Sequence, residues 1–121
     1  MDLGKPTPIL RSFDEAKARE FYLDFLGFKV DWEHRFEPGL PLYLQVSLGQ
    51  CVLHLSEHHG DASPGSALRI PCPALDAYQQ ALLGKRYRNA RPGIVEQPWG
   101  REMAVADPFG NRLVFFEPAG N

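Results

Sequence analysis

A short segment near the end of the chain, residues 96–102 with the sequence EQPWGRE, combines an indole with acidic and basic side chains. Trp99 lies between a proline and a glycine, and both disfavour the centre of a strand, so we expect Trp99 in a loop rather than in the core. An indole held in a loop can stack on a flat ligand group. Glu102 and Arg101 can contact the polar or charged ends of such a ligand. Trp99, Arg101 and Glu102 are therefore candidates for contacts to a small-molecule ligand.

His54 lies in a strand-like run in which Cys51, Leu53 and Leu55 point the other way. If that trio packs on a helix, His54 projects from the opposite face, where it could donate a hydrogen bond to a ligand or stack on it. A half-buried histidine satisfied by its own neighbours is an equally good interpretation. Cys51 and Cys72 have neither CxxC nor zinc-ligand spacing, so we interpret them as buried free thiols in a reducing compartment.

Motifs for covalent or nucleotide chemistry are absent from the sequence, which contains no GxSxG, HExxH, GxGxxG or P-loop pattern. Glu33, Glu57 and Glu102 could act as acids or bases only if burial raised their pKa values, which a sequence does not show. We interpret Glu57 as an exposed strand carboxylate and keep Glu102 as a candidate, because it belongs to the 96–102 segment.

The length of 121 residues, with 44% hydrophobic residues, provides for one domain with a modest core. Fifteen acidic against thirteen basic residues give a net charge of −2, which argues against a nucleic-acid partner. The first residues form no apolar signal segment, and no later segment is long enough to cross a membrane. We therefore expect a soluble, cytoplasmic protein.

The first half of the chain predicts a strand, a helix and three strands. Ser12 with Glu15 forms a capping box after a strand at residues 8–11. One helical face follows, with Ala18, Phe21, Tyr22 and Phe25, and Gly27 ends it. Further strands are predicted at residues 28–32, 42–48 and 50–56, with turns at Pro38-Gly39 and Gly49.

The second half repeats this plan after a linker at residues 58–65. A strand at 67–72 precedes a helix with Leu75, Tyr78 and Leu82 on one face and Gly84 as its stop. Strands near 94–97, 101–106 and 112–117 follow. An internal duplication explains the repeat, with two unrelated α+β halves as the alternative. Each sheet keeps one face free of its helix, so we expect the free faces to curve together into a ligand cleft.

Two motifs resemble one superfamily. Residues 21–28 (FYLDFLGF) resemble the FYxxxLGF helix end of the vicinal oxygen chelate superfamily, and residues 107–111 (DPFGN) resemble its DPxGN turn. Glyoxalases, extradiol dioxygenases, fosfomycin resistance enzymes and bleomycin resistance proteins belong to it, and residues 96–102 are similar to the EQPWGRE segment of the last group. The resemblance implies an α+β fold in a single domain, 1–121, of two tandem βαβββ modules: 7–57 and 66–118.

Enzymes of that superfamily hold a divalent metal at four positions. The resemblance puts these positions on Thr7, His54, Ser66 or Ala67, and Val114. Only His54 is a good ligand, whereas a catalytic site needs about three. We therefore expect no metal and no cofactor, and we favour a binding protein over an enzyme. A weak alternative is a shifted site that uses His54 with His34, His58 or His59.

The resemblance also implies binding residues. In the family this tryptophan, here Trp99, lies in the binding crevice, and Phe36 resembles in location a phenylalanine that stacks on the drug. Trp32, His34 and Phe36 alternate onto one strand face, opposite Asp31, Glu33 and Arg35, and we interpret Trp32 as core. The candidate ligand-binding set is Trp99, Phe36, His54, Tyr43, Arg101 and Glu102.

Bleomycin resistance proteins are intertwined homodimers that exchange the N-terminal strand, and Pro6 and Pro8 would suit an extended arm. The resulting hypothesis is an antibiotic-resistance protein that sequesters a bleomycin-like or other planar, cationic molecule without catalysis. The main alternative is a metal-dependent lyase, transferase or isomerase with an atypical site around His54. A third is a regulatory module that binds a protein partner.

Overall fold

Each half of the chain folds as one strand, one helix and three further strands. The computed structural model describes residues 1–118, and the halves form two compact units, Met1–Pro64 and Gly65–Asn121. Each unit is a four-stranded sheet with a helix, which confirms the predicted α+β fold of two βαβββ modules. No helix within residues 1–118 has the length and apolar character that crossing a membrane requires.

In the first unit, the strand order is β1-β4-β3-β2, with β1 parallel to β4 and the other pairs antiparallel. Its elements are β1 (Ile9–Arg11), α1 (Glu15–Arg19), a π-helical continuation (Glu20–Phe25), β2 (Lys29–His34), β3 (Tyr43–Leu48) and β4 (Cys51–Ser56). The parallel β1–β4 pair requires the chain to cross over between them, and the helix lies within that crossover.

The predicted capping box at Ser12 is wrong. Asp14 caps α1 instead, because its extended backbone lets its carboxylate accept a hydrogen bond from the Lys17 N–H at 2.9 Å. Ser12 is buried, and its N–H donates to the carbonyl of Ser56 at 2.9 Å, which extends the β1–β4 ladder. The predicted stop at Gly27 is confirmed by its left-handed backbone, with φ +90°.

The helix widens into π-helical geometry where its aromatic residues lie. The Leu26 N–H donates to the Phe21 carbonyl at 2.9 Å, five residues back. Phe21, Tyr22 and Phe25 are at most 1% exposed, and burial of each such side chain contributes about 1.5–3 kcal/mol. The predicted helical face is therefore the core face. The strands add Leu44, Val46, Leu53 and Leu55 to the buried set.

In the second unit, the strand order is β5-β8-β7-β6, with β5 parallel to β8. Its elements are β5 (Ala67–Pro71), α2 (Leu75–Gly84), β6 (Ile94–Gln97), β7 (Gly100–Ala106) and β8 (Arg112–Pro118). Gly84 is the last helical residue rather than the stop, and the left-handed backbone occurs at Arg86, with φ 53°. The DPFGN turn is held by Asp107, whose Oδ1 accepts from the N–H groups of Phe109 and Asn111.

The two cysteines are free thiols, as predicted, but they are half-buried rather than buried. Cys51 begins β4 and Cys72 follows β5, so each lies at the end of a strand and not at its centre. Partial burial raises the pKa of both thiols, which keeps them protonated at neutral pH.

Candidate binding site

A β-bulge in β2 shapes the open sheet face of the first unit. The β2–β3 register shifts between Val30 and Trp32, so Asp31 and Trp32 project to the same side of the sheet. Asp31 accepts hydrogen bonds from Gln45 Nε2 and Ser47 Oγ, both at 3.0 Å. The predicted alternation is therefore wrong at Asp31, because the bulge moves this residue to the face of Trp32.

The rest of β2 keeps the predicted alternation. Glu33 pairs with Arg19 of α1 at 2.8 Å, and Arg35, just after the strand, pairs with Glu15 of the same helix. These ion pairs identify the helix side of the sheet. Trp32 lies on the other side, where 44% of it is exposed, so the prediction that Trp32 is a core residue is wrong.

Trp32, Tyr43 and His54 form an aromatic cluster on this open face. The rings of Trp32 and Tyr43 are stacked, with centroids 5.9 Å apart and planes within 6° of parallel. The His54 ring meets both edge-on, at 5.3 Å from Trp32 and 5.2 Å from Tyr43. Such offset and edge-to-face contacts favour a rigid cluster, so an exposed indole is held there in a defined orientation.

A chain of polar contacts runs through the aromatic cluster. The Tyr43 hydroxyl lies 2.7 Å from His54 Nδ1, and His54 Nε2 lies 2.9 Å from Gln45 Oε1. Gln45 then donates to Asp31. Hydrogen bonds from Gln45 and Ser47 lower the pKa of Asp31, and burial lowers the pKa of His54, so at neutral pH the first is charged and the second neutral.

The metal positions that the resemblance implied do not fit a metal ion. Both ring nitrogens of His54 are engaged by side chains of its own unit, and Val114 is buried and has no donor atom. His34 packs edge-on against Phe36 at 5.3 Å. Across residues 1–118, His, Cys, Asp and Glu side chains nowhere gather in the groups of three that a metal site needs.

The second unit has its own exposed tryptophan. Trp99 lies in the turn between β6 and β7, as predicted, and 59% of it is exposed. Its indole N–H donates to Glu102 Oε2 at 3.0 Å, and Arg69 donates to the same oxygen at 2.9 Å. Arg69 in turn lies over the ring of Phe116, with 4.6 Å to the ring centroid. We call Trp99, Glu102, Arg69 and Phe116 the Trp99 surface.

Glu102 carries a negative charge on this surface. The hydrogen bond from Trp99 and then that from Arg69 lower the pKa of its carboxyl group. The pair with Arg69 is partly exposed, so its net attraction is modest, while the bond to the indole also fixes the orientation of Trp99. The surface therefore presents an oriented aromatic face beside an ionised carboxylate.

Arg101 and Phe36 belong neither to the aromatic cluster nor to the Trp99 surface. Arg101 projects to the helix side of β7, where it binds both carboxylate oxygens of Asp76, at 2.7 and 3.0 Å, and Glu117 at 3.2 Å. Two carboxylates engage this guanidinium on the helix side of the sheet, whereas Glu102, the next residue of β7, projects from the opposite face. Phe36 is 80% exposed, beyond the end of β2, with a ring contact to His34.

Sequence reasoning missed Gln45, Asp31, Arg69 and Phe116. Gln45 alternates with Tyr43 along β3, so strand periodicity could have assigned it to the same face. Arg69 and Phe116 lie on neighbouring strands, β5 and β8, with no sequence motif that joins them. Asp31 depends on the bulge, which left no signal in the sequence pattern.

A separate open cavity of about 270 Å³ lies in the first unit. Its lining residues are Arg11, Ser12, Phe13, Arg35, Gly39, Leu40, Pro41 and Glu57. Glu57 accepts a hydrogen bond from the Leu42 N–H at 2.8 Å and lies 4.0 Å from Arg35. The predicted binding residues do not line this cavity, and its carboxylate is engaged by its own unit.

Comparison with known proteins supports the assignment of the fold. The bleomycin-binding protein from bleomycin-producing Streptomyces verticillus, in its structure with copper(II)-bleomycin, is 28% identical to this chain. The match covers 100% of this chain and 99% of that protein, with a TM-score of 0.70. An antibiotic binding protein from Streptomyces sp. CB03234 is 20% identical over 98% of this chain and 99% of its own, with a TM-score of 0.73. No protein of curated function matches the sequence.

A third structure has a TM-score of 0.75 at 17% identity and covers 98% of this chain and 100% of its own. It is a glyoxylase/bleomycin resistance protein/dioxygenase domain from Frankia sp. EAN1pec. A family model described as "Glyoxalase superfamily protein" matches residues 2–120. Since that match covers almost the whole chain, the protein belongs to the glyoxalase superfamily.

Proposed function

We propose that this protein binds and sequesters a small planar, cationic molecule, without bond chemistry. The observation that carries the proposal occurs in both units: an exposed tryptophan beside an ionised carboxylate. Trp32 lies next to Asp31, and Trp99 is hydrogen-bonded to Glu102. A flat apolar group that covers an exposed indole buries apolar surface, which favours binding. A positive charge on the ligand is attracted by the adjacent carboxylate and by the face of the ring.

Bleomycin-like compounds are the ligand class that the relatives favour. The relative from Streptomyces verticillus is a bleomycin-binding protein, and EQPWGRE is the segment that contributes Trp99 and Glu102 here. The net charge of −2 adds only a weak general attraction for a cationic drug. Affinity should therefore depend on the local carboxylates and aromatic surfaces. Sequestration of such a drug would make the protein an antibiotic-resistance determinant.

The proposal includes a homodimer and a single-domain organisation of modules 7–57 and 66–118. In the single chain, β1 pairs with β4 of its own unit over residues 9–11. Exchange of this short strand would replace those hydrogen bonds by identical ones from a partner, at little cost in enthalpy. Light scattering should give twice the 13.6 kDa of one chain. Two free thiols favour a reducing compartment, so we place the protein in the cytoplasm.

Calorimetric titration with metal-free bleomycin, followed by mass spectrometry of the recovered drug, tests this function. We expect saturable binding at one drug per chain and recovery of the drug with an unchanged mass. No binding as the drug approaches about 1 mM would exclude bleomycin as the ligand. A changed drug mass would show that the protein is an enzyme and would refute sequestration.

A further inference from the structure

We propose that the Tyr43 hydroxyl oxygen acts only as a hydrogen-bond acceptor toward the ligand, so that the first unit selects planar cations that carry N–H groups. The inference rests on the proposed binding function and defines the ligand class more narrowly. It follows from the order of donors and acceptors in the chain Asp31–Gln45–His54–Tyr43.

Asp31 determines the donor-to-acceptor direction of this series of hydrogen bonds. An ionised carboxylate can only accept, so the Gln45 side-chain nitrogen must face Asp31, at 3.0 Å. The Gln45 oxygen therefore faces His54 Nε2, at 2.9 Å, and this ring nitrogen must carry the proton. His54 Nδ1 is then the acceptor, and the Tyr43 hydroxyl at 2.7 Å must donate to it.

Once its proton is committed to His54, the Tyr43 oxygen has only lone pairs left for a ligand. The phenol keeps that proton at neutral pH, because burial and the negative charge of Asp61 raise the pKa of Tyr43. The same Asp61 charge attracts a cation to this position. A ligand group that can only accept, such as a carbonyl oxygen, finds no donor at Tyr43.

The stacked indole completes the selection. Trp32 lies parallel to the Tyr43 ring and is 44% exposed, so a flat group on Trp32 is adjacent to the phenol. Both Asp31 and the ring faces favour a positive ligand charge. The chemistry of the site therefore fits an aromatic ammonium or amidinium ion, with its N–H directed to the Tyr43 oxygen.

Two matched probes test the proposal: benzylammonium, which has N–H donors, and benzyltrimethylammonium, which has the same charge and none. We expect Tyr43→Phe to lower the affinity for benzylammonium roughly threefold to tenfold, the effect of one lost hydrogen bond. The affinity for benzyltrimethylammonium should stay unchanged. Tyr87→Phe, a hydroxyl removed outside the cluster, should change neither affinity. An equal loss for both probes, or no binding of benzylammonium to the wild type, would overturn the proposal.

A second measurement needs no ligand. Nitrogen NMR of labelled histidine should show His54 in the Nε2–H tautomer in the free protein at neutral pH, and Asp31→Asn should relax this preference because an amide can donate as well as accept. An Nδ1–H tautomer would overturn the proposal directly. A failed bleomycin titration with this tautomer and the probe selectivity intact would refute only bleomycin as the ligand.

Discussion

The indole N–H of Trp99 donates to Oε2 of Glu102 at 3.0 Å. Trp99 lies in the β6–β7 turn and Glu102 is the third residue of β7, so the bond connects the turn to β7 and orients an indole that is 59% exposed. An indole usually stabilises a protein more when it is buried in the core. An indole that is exposed and held in one orientation is instead available to contact a ligand. The predictions below follow from this geometry and its counterpart in the first unit.

The charge of Glu102 should contribute to ligand affinity. Glu102→Gln keeps an oxygen that can accept from the indole but removes the negative charge, so we expect bleomycin to bind roughly twofold to fivefold more weakly. Calorimetry at low and high salt measures both affinities. The difference in affinity between the wild type and Glu102→Gln should become smaller at high salt, because salt screens the charge. Glu96→Gln, an exposed carboxylate on the same hairpin, is the control. A similar loss in the control would show that only net charge matters.

Asp31 should make stability depend on pH. Its pKa is lowered in the folded state, by Gln45 and then by Ser47, so its contribution is complete above the unfolded pKa of about 4 and is lost as pH falls through the folded value. Urea denaturation should therefore show Asp31→Asn less stable than the wild type at pH 7, with a difference that shrinks in acid. A difference that stays constant between neutral and acid pH would contradict the assigned hydrogen bonds.

Arg101 should affect stability and not binding. It connects β7 to Asp76 in the first turn of α2 and to Glu117 of β8, on the helix side of the sheet. Arg101→Gln should lower the melting temperature and leave the affinity for bleomycin unchanged. Arg91→Gln, on an exposed loop residue, should change neither quantity. Loss of binding in a fully folded Arg101→Gln variant would return Arg101 to the ligand site.

Divalent metal ions should not stabilise the free protein. His54 uses both ring nitrogens within its own unit, and the other positions implied by the resemblance lack good ligands. Thermal unfolding should therefore be the same with added Zn²⁺ or Mn²⁺ and with chelator. A rise in melting temperature that is abolished in His54→Ala, with about one ion retained per chain, would support the atypical metal enzyme instead.

Local patterns predicted much of the fold. The spacing of Phe21, Tyr22 and Phe25 identified the buried helical face, and strand alternation identified which side of β4 carries His54. Features that depend on distant partners were missed. The bulge at Asp31 results from how β2 pairs with β3, and Arg101 is placed by Asp76, 25 residues away. A one-residue shift in pairing moves a side chain to the other face, and the alternation along a single strand does not reveal such a shift. Nor does it reveal that Asp76 lies within reach of Arg101.

The most direct test of ligand sequestration is a fluorescence titration with metal-free bleomycin, since Trp99 is exposed and Glu102 fixes its orientation. We expect saturable quenching at one drug per chain in the wild type. Trp99→Ala should lose most of the affinity, whereas Val95→Ala, an exposed side chain on the same hairpin, should retain it. Undiminished affinity in Trp99→Ala would contradict the account, and no saturable quenching in the wild type up to about 1 mM would exclude bleomycin as the ligand.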